Sequence, residues 1–334
     1  MPLTVAQLSE SDLLERIFPR LRTGIPWQEC VVVGPGDDAA VLAVADGRVV
    51  VSIDTQVQDM DFRLQWPSGY HTTGFDVGWK AAAQNLSDIN AMGGRATSLA
   101  VSLTLPGSTD VQWVEDLADG LNAAIRQLGA DGCSVIGGDI GAGAQIAVTA
   151  AVTGSLEGRK PVLRSGAQPG DVVVLAGTVG RAAAGLALLE STHEYSSLQA
   201  EHLNLVQNQC CPLPPLAAGP AAAEAGSTAM LDISDGLVKD AQRLASASGV
   251  RIDFDPEVLS SLAEPLRSAA DLLGIDPMEW VLGGGEDHGL LATVNPIVMP
   301  LPGFTAVGSV KAGSKGVTIG SQSPANVGWD HFAD

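Results

Sequence analysis

Apolar residues recur along the chain at two spacings, and the switches between them mark out the expected elements. Leu8, Leu13, Leu14, Ile17 and Phe18 share one side of a helix over residues 7–22, where Pro19 should disturb the last turn. VVVGPGDDAAVLAV and GRVVVSIDTQV read as strands with a Gly-Pro-Gly break. Residues 76–92 predict a helix that Gly93-Gly94 closes with a left-handed cap. ATSLAVSLTLP is a strand ended by Pro106. Val111, Val114, Leu117, Leu121 and Ile125 predict a second helix over 110–129. CSVIGGDIGAG reads as a strand running into a glycine-rich turn, and QIAVTAAVTGSL as another strand.

Residues 155–171 are polar and turn-rich, which marks a domain junction. Beyond it come strand VVVLAG, a helix over about 180–190, a loose stretch 191–215 and a helix near 216–226. Strand AMLDI then leads into Ser234-Asp235-Gly236, which opens a helix to about 247. RIDFD, one helix over 257–273, GGGEDHGLLATV and a hairpin-like GFTAVGSV complete the pattern. Strands come in runs with helices between them, so an α+β fold is expected rather than a doubly wound parallel sheet. The 334 residues suit two domains, at 1–157 and 158–334.

Composition narrows the function. Hydrophobic residues are 46% and charged residues 17%, a globular mixture. Eighteen basic against 38 acidic residues give a net charge of −20, which argues against nucleic acid and acidic membranes as partners. Cys30, Cys133, Cys210 and Cys211 show neither a zinc spacing nor a disulfide framework. No apolar run is long enough to span a bilayer, and the N-terminus does not read as a signal peptide, so a cytoplasmic protein is expected.

The acids occupy unusual places. Asp37-Asp38 follow Gly34-Pro35-Gly36, Asp54 lies inside VVVSIDTQV, Asp88 sits on an apolar-plus-amide helix, and Asp139 follows Gly137-Gly138. Asp232 and Asp235 flank Ile233-Ser234 at a strand-to-helix turn, and Glu286-Asp287 follow three glycines. Each could be ordinary: solvated acids in turns, an edge position for Asp54, a helix-surface acid for Asp88, an N-cap at Ser234 or Asp235. Together they suggest carboxylates converging on Mg²⁺, because few basic residues are available to pair them. Ser234 and the amides beside it also suit phosphate oxygens, and Arg164 is either solvated or a phosphate clamp. No Gly-Lys dipeptide exists, so there is no Walker A loop. Gly177-Thr178-Val179-Gly180 with Gly185 reads as a helix packed through small residues rather than as a dinucleotide loop. The five histidines are scattered and none has a catalytic context.

Taken in order, GPGDDAAVL, SIDTQV, KAAAQNLSDINAMGG, VIGGDIGAG, RSGAQPGDVVVLAGTVG, LDISDGL and GGGEDHGL resemble the thiamine-monophosphate kinase family, of the aminoimidazole-ribonucleotide-synthetase-like superfamily. The resemblance implies two domains, an N-terminal sheet used for homodimerisation and a C-terminal α/β sandwich. It implies Mg-dependent transfer of the ATP γ-phosphoryl to thiamine phosphate, with ATP as co-substrate and several Mg²⁺ ions. Metal ligands are implied at Asp38, Ser52, Asp54, Asp88, Asp139, Asp232 and Asp235, with Asp54, Asp139 and Asp235 closest to the chemistry. Nucleotide contacts are implied at Gly138, Asp139, Arg164 and Ser234, and substrate contacts at Asp61, Glu286 and Trp329. Three places depart from the family pattern: Ile53 replaces a threonine, Asp61 stands where the family has a histidine, and His288-Gly289 stand where a Tyr-Glu usually follows Gly-Glu-Asp. The alternatives are another ATP-using member of the superfamily or a non-catalytic nucleotide- or metal-binding relative.

Overall fold

A computed structural model describes residues 3–8, 10–21, 31–33, 41–44, 47–324 and 328. The chain divides into two compact units. The first comprises residues 1–66, 70–89 and 94–158; the second takes Pro67–Gly69, Asn90–Gly93 and everything from Arg159 onward. The fold is α+β, with mostly antiparallel sheets.

In the first unit α1 (Glu10–Leu21) precedes a two-stranded ribbon, β1 (Val31–Val33) with β2 (Val41–Leu42). Then come β3 (Val50–Val57), α2 (Gly74–Ala91, its end in the second unit), β4 (Arg95–Leu105), α3 (Val111–Gln127), β5 (Ser134–Ala142) and β6 (Ala147–Ser155). They form a four-stranded sheet in the order β3-β6-β4-β5, in which only β4 and β5 run parallel. Gly93 takes the left-handed conformation (φ +78) expected at the end of α2. The five apolar residues expected on α3 are all buried, and Asp110 caps it by accepting from Gln112 N at 3.0 Å. A Cβ at Gly78 would sit 2.1 Å from the Leu117 carbonyl oxygen, so α2 and α3 meet at backbone distance. The glycine-rich end of VIGGDIGAG is strand, not turn: β5 stays paired with β4 through Ala142. Gly138 makes this possible, because a Cβ there would lie 1.8 Å from the Val101 carbonyl oxygen.

The second unit contains β7 (Val172–Ala176), α4 (Arg181–Glu190), α5 (Ala200–Cys210), α6 (Ala218–Glu224), β8 (Ala229–Ile233), α7 (Leu237–Ser248) and β9 (Arg251–Phe254). It continues with α8 (Pro256–Ala263), α9 (Arg267–Leu273), α10 (Pro277–Gly283), β10 (Gly289–Val294), β11 (Thr305–Lys311) and β12 (Gly316–Ile319). The sheet order is β12-β9-β11-β7-β10-β8, with a core around Val174, Ala176, Met230, Leu290 and Ala292.

Three expectations are corrected here. The stretch 191–215 is not loose, since it holds α5, whose buried face is His202, Leu205, Val206, Gln209 and Cys210. That face keeps helical spacing but mixes polar with apolar residues, which blurs the hydrophobic period. The helix over 257–273 is broken into α8 and α9 by a 3₁₀ turn at Glu264–Leu266, where Pro265 lacks the N–H a continuous helix needs. GFTAVGSV is no hairpin, because β11 lies between β7 and β9, and β12 pairs in parallel with β9.

Candidate functional site

In the first unit, β3 alternates strictly. Val51, Ile53 and Thr55 are exposed on one face, whereas Ser52, Asp54 and Gln56 point the other way. They share that face with β6 residues Val148, Ala150 and Val152, their register partners, all fully buried. α2 covers it: Ser52 Oγ makes a short hydrogen bond to Asp88 Oδ2, and Gln56 Nε2 donates to Gln84 Oε1 at 3.2 Å. Asp54 Oδ2 is buried with no hydrogen-bond partner among the described residues. A desolvated carboxylate oxygen left unmet is costly, so this atom is where a cation is wanted. The neighbouring hydroxyl and carboxylate are hard oxygen donors of the kind Mg²⁺ takes. Asp139 is exposed on edge strand β5, in register with Ser102, an exposed position of β4. Asp61 closes the turn after β3, its Oδ2 accepting from Val57 N at 2.7 Å.

In the second unit three motifs meet at one end of the sheet. Gly289 and Leu290 of β10 pair with Ile233 and Asp232 of β8, and Leu290 also pairs with Ala176 of β7. The loops beyond these strand ends therefore touch. Glu286 N donates to Ser234 O at 2.9 Å and His288 N to Ile233 O at 3.1 Å. Glu286 adopts φ +67, a conformation uncommon outside glycine, held by these bonds. Asp232 is 6% exposed and its Oδ2 lies 3.3 Å from Nδ1 of buried His288.

The acids of these loops are better partnered than the scarcity of basic residues implied. Arg243 bridges Asp235 and Asp240. Asp240, from the first turn of α7, reaches back to accept from Ser234 N at 3.0 Å and Asp235 N at 2.9 Å. Neither Ser234 nor Asp235 caps the helix; Gly236 stands at that position, and Asp240 organises the turn instead. Burial outweighs these bonds and pushes the Asp240 carboxyl up to about 6. Asp287 is buried and accepts from Thr178 Oγ1 at 2.8 Å, Arg181 N at 3.2 Å and Ala182 N at 3.1 Å, seating the start of α4. Its burial likewise raises its pKa against those hydrogen bonds. α4 then packs on α5 through Gly185, where a Cβ would meet the Leu205 carbonyl oxygen at 2.1 Å.

The structure thus gathers Asp232, Ser234, Asp235 and Glu286 in one unit, and Ser52, Asp54 and Asp88 in the other. Among the described residues no three His, Cys, Asp or Glu side chains stand close enough to hold a metal ion by themselves. Asp38 and Trp329 lie outside the described residues, as does Cys30. Arg164 is exposed, its carbonyl accepting from Ser248 Oγ at 3.0 Å. A cleft of about 490 Å³ in the second unit, lined by Arg159, Lys160, Val162, Leu163 and Thr228 among others, contains none of the expected residues. Asp240, Arg243 and Gln209 were not anticipated. The first two could have been read from an acid–base pair at i, i+3 just after Ser-Asp-Gly, whereas Gln209 has no sequence signal.

Two family models define the class. "AIR synthase related protein, N-terminal domain" matches residues 36–156, and the corresponding C-terminal domain matches 168–296. Within that class the chain is 41% identical, over 99% of its length and 94% of the relative's, to a thiamine-monophosphate kinase of Mycobacterium tuberculosis. A crystal structure of thiamine-monophosphate kinase from Stenotrophomonas maltophilia matches with TM-score 0.79 and 30% identity, covering 95% of this chain and 98% of that one. A structure described as AaThiL complexed with AMPPCP and TMP matches with TM-score 0.76 and 29% identity over 99% of both chains. The chain belongs to the thiamine-monophosphate kinase family.

Proposed function

We infer that this protein transfers the γ-phosphoryl group of ATP to the phosphate of thiamine phosphate, giving thiamine diphosphate and ADP. The β–γ P–O bond of ATP breaks as a new P–O–P linkage forms on the acceptor. What carries this reading is whole-length similarity to relatives named for that reaction, one of them solved with AMPPCP and TMP. The buried Asp54 Oδ2, without a hydrogen-bond partner among the described residues, supports it from the geometry.

Such a transfer requires little covalent chemistry of the protein, which has to position two anionic ligands and offset their charge. Asp54, Asp88, Ser52 and Asp139 of the first unit, Asp232 and Asp235 of the second, and Asp38 would hold Mg²⁺. When bound, Mg²⁺ supplies positive charge to phosphate oxygens in a chain of net charge −20. Gly138, Asp139, Arg164 and Ser234 are assigned to the nucleotide. Glu286 and Trp329 suit the cationic thiazolium by charge and ring contact. Asp61 is assigned to the substrate side of the site, at the position where the family has a histidine. We further assign the protein to the cytoplasm, where the buried thiols of Cys133, Cys210 and Cys211 stay reduced. Among the described residues no helix is long and apolar enough to cross a membrane.

The test is direct. Protein, MgATP and thiamine phosphate are incubated, thiamine species are oxidised to fluorescent thiochromes, and these are separated by chromatography. A new diphosphate peak matched by ADP is expected. No diphosphate above a protein-free control would overturn this reading and leave the two alternatives, another ATP-using activity of the superfamily or a non-catalytic relative.

A further inference from the structure

The Glu286 carboxylate accepts a hydrogen bond from an element distant in sequence. Gln209 lies in the last turn of α5, is 4% exposed, and donates from Nε2 to Glu286 Oε2 at 2.7 Å. Its place is set by the close α4–α5 approach, since a Cβ at Gly185 would lie 3.0 Å from Gln209 Cβ. Gln209 Oε1, by contrast, is buried with no hydrogen-bond partner among the described residues. Turning the amide over would set its oxygen against a carboxylate oxygen, so Glu286 dictates the orientation and Oε1 is left unmet. An apolar side chain of similar length would fill the same space without an unmet acceptor. Packing therefore does not account for an amide here.

The backbone of Glu286 is already determined by φ +67, by its N–H bond to Ser234 O, and by Gly285, where a Cβ would lie 2.2 Å from that same oxygen. The side-chain torsions are a separate matter, and the bond from Gln209 Nε2 is one contact that restricts them. We propose that Gln209 is a positioning residue that orients the Glu286 carboxylate before thiamine phosphate arrives, and so sets affinity for the organic half of the substrate. This rests on the assignment of Glu286 to the substrate made above. Preorganisation of this kind acts on binding, because the entropy of ordering the carboxylate is lost in folding rather than at association.

Gln209→Met keeps length and removes both the donor and the unmet acceptor. Its KM for thiamine phosphate should rise about tenfold, equivalent to about 1.4 kcal/mol, while KM for ATP changes less than about twofold. Tm should be unchanged or higher. Gln209→Glu, which sets two carboxylates together, should raise KM for thiamine phosphate further. Glu286→Gln tests the underlying assignment separately: it should raise the same KM, and Gln209→Met should add nothing in that background. If Glu286→Gln raises KM but Gln209→Met does not, the positioning role is wrong and the Glu286 assignment stands. A Gln209→Met variant with lower Tm and both KM values raised together would make Gln209 a structural residue and also overturn the proposal. An unchanged KM in Glu286→Gln would overturn the assignment itself, and the positioning role with it.

Discussion

Asp54 shows how one residue can be legible in sequence yet acquire its meaning only from its neighbours. An acid within a β-branched run was open to two explanations, a water-facing edge or a cation. β3 is indeed an edge strand, but its alternation turns Asp54 toward the helix-covered face and Ile53 toward solvent. Asp88 on the same face has Ser52 as a hydrogen-bond partner, whereas Asp54 Oδ2 has none among the described residues. Asp54→Asn keeps the shape and removes a charge. The variant should require more Mg²⁺ for half-maximal rate and lose about 10²-fold in kcat, or about 2.7 kcal/mol. Its unfolding midpoint without metal should be equal or higher, because an uncompensated charge has gone. Titrating the rate with Mg²⁺ and melting the apoprotein check both; wild-type Mg²⁺ dependence would remove Asp54 from the site.

At the level of elements, the turn before α7 depends on a residue inside the helix. Asp240 satisfies the N–H groups of Ser234 and Asp235 and shares Arg243 with Asp235, so the turn, the helix start and the arginine form one unit. With the Asp240 carboxyl raised from 3.8 to about 6, the native state holds a proton that the unfolded chain has released between those values. Asp240 therefore contributes its full share of stability below pH 3.8, and that share is lost as pH rises through about 6. The size is on the order of 3 kcal/mol. Asp240→Asn does not titrate, so the stability difference between wild type and variant should move by that amount in the variant's favour from pH 4 to pH 7. Denaturant melts at several pH values measure it, and a pH-independent difference would contradict the assignment. α5 and the α8–α9 break belong to this scale too. α5 is obscured in sequence because His202 and Gln209 occupy buried positions, while the α8–α9 break is marked by Pro265 inside an otherwise continuous helical period.

For the whole molecule, the informative surface is the face of the four-stranded sheet opposite α2. Val51 and Ile53 are 62% and 64% exposed there, beside Thr55–Thr149 and Thr97–Thr153 hydroxyl pairs. A sheet with one helix-covered face and one face of exposed valine, isoleucine and threonine is suited to cover by a second copy. We propose a twofold homodimer through this face. Light scattering at micromolar concentration should give about twice the 34.2 kDa chain mass, and Ile53→Lys should reduce it to the monomer value. A wild-type monomer with full activity would refute the dimer.

The chain's own order of residues determined the two-domain α+β class, most helices and strands, and the family, because periodicity and short glycine–acid motifs are local properties. Local spacing also selected the acids and Glu286. It could not show which of them are satisfied. That was decided in three dimensions, where Arg243 pairs with Asp235, Ser52 with Asp88 and Gln209 with Glu286, while Asp54 keeps an oxygen unmet among the described residues. These partners lie 8, 36 and 77 residues apart. Electrostatic and hydrogen-bond energies depend on distances through space, and folding alone sets those distances.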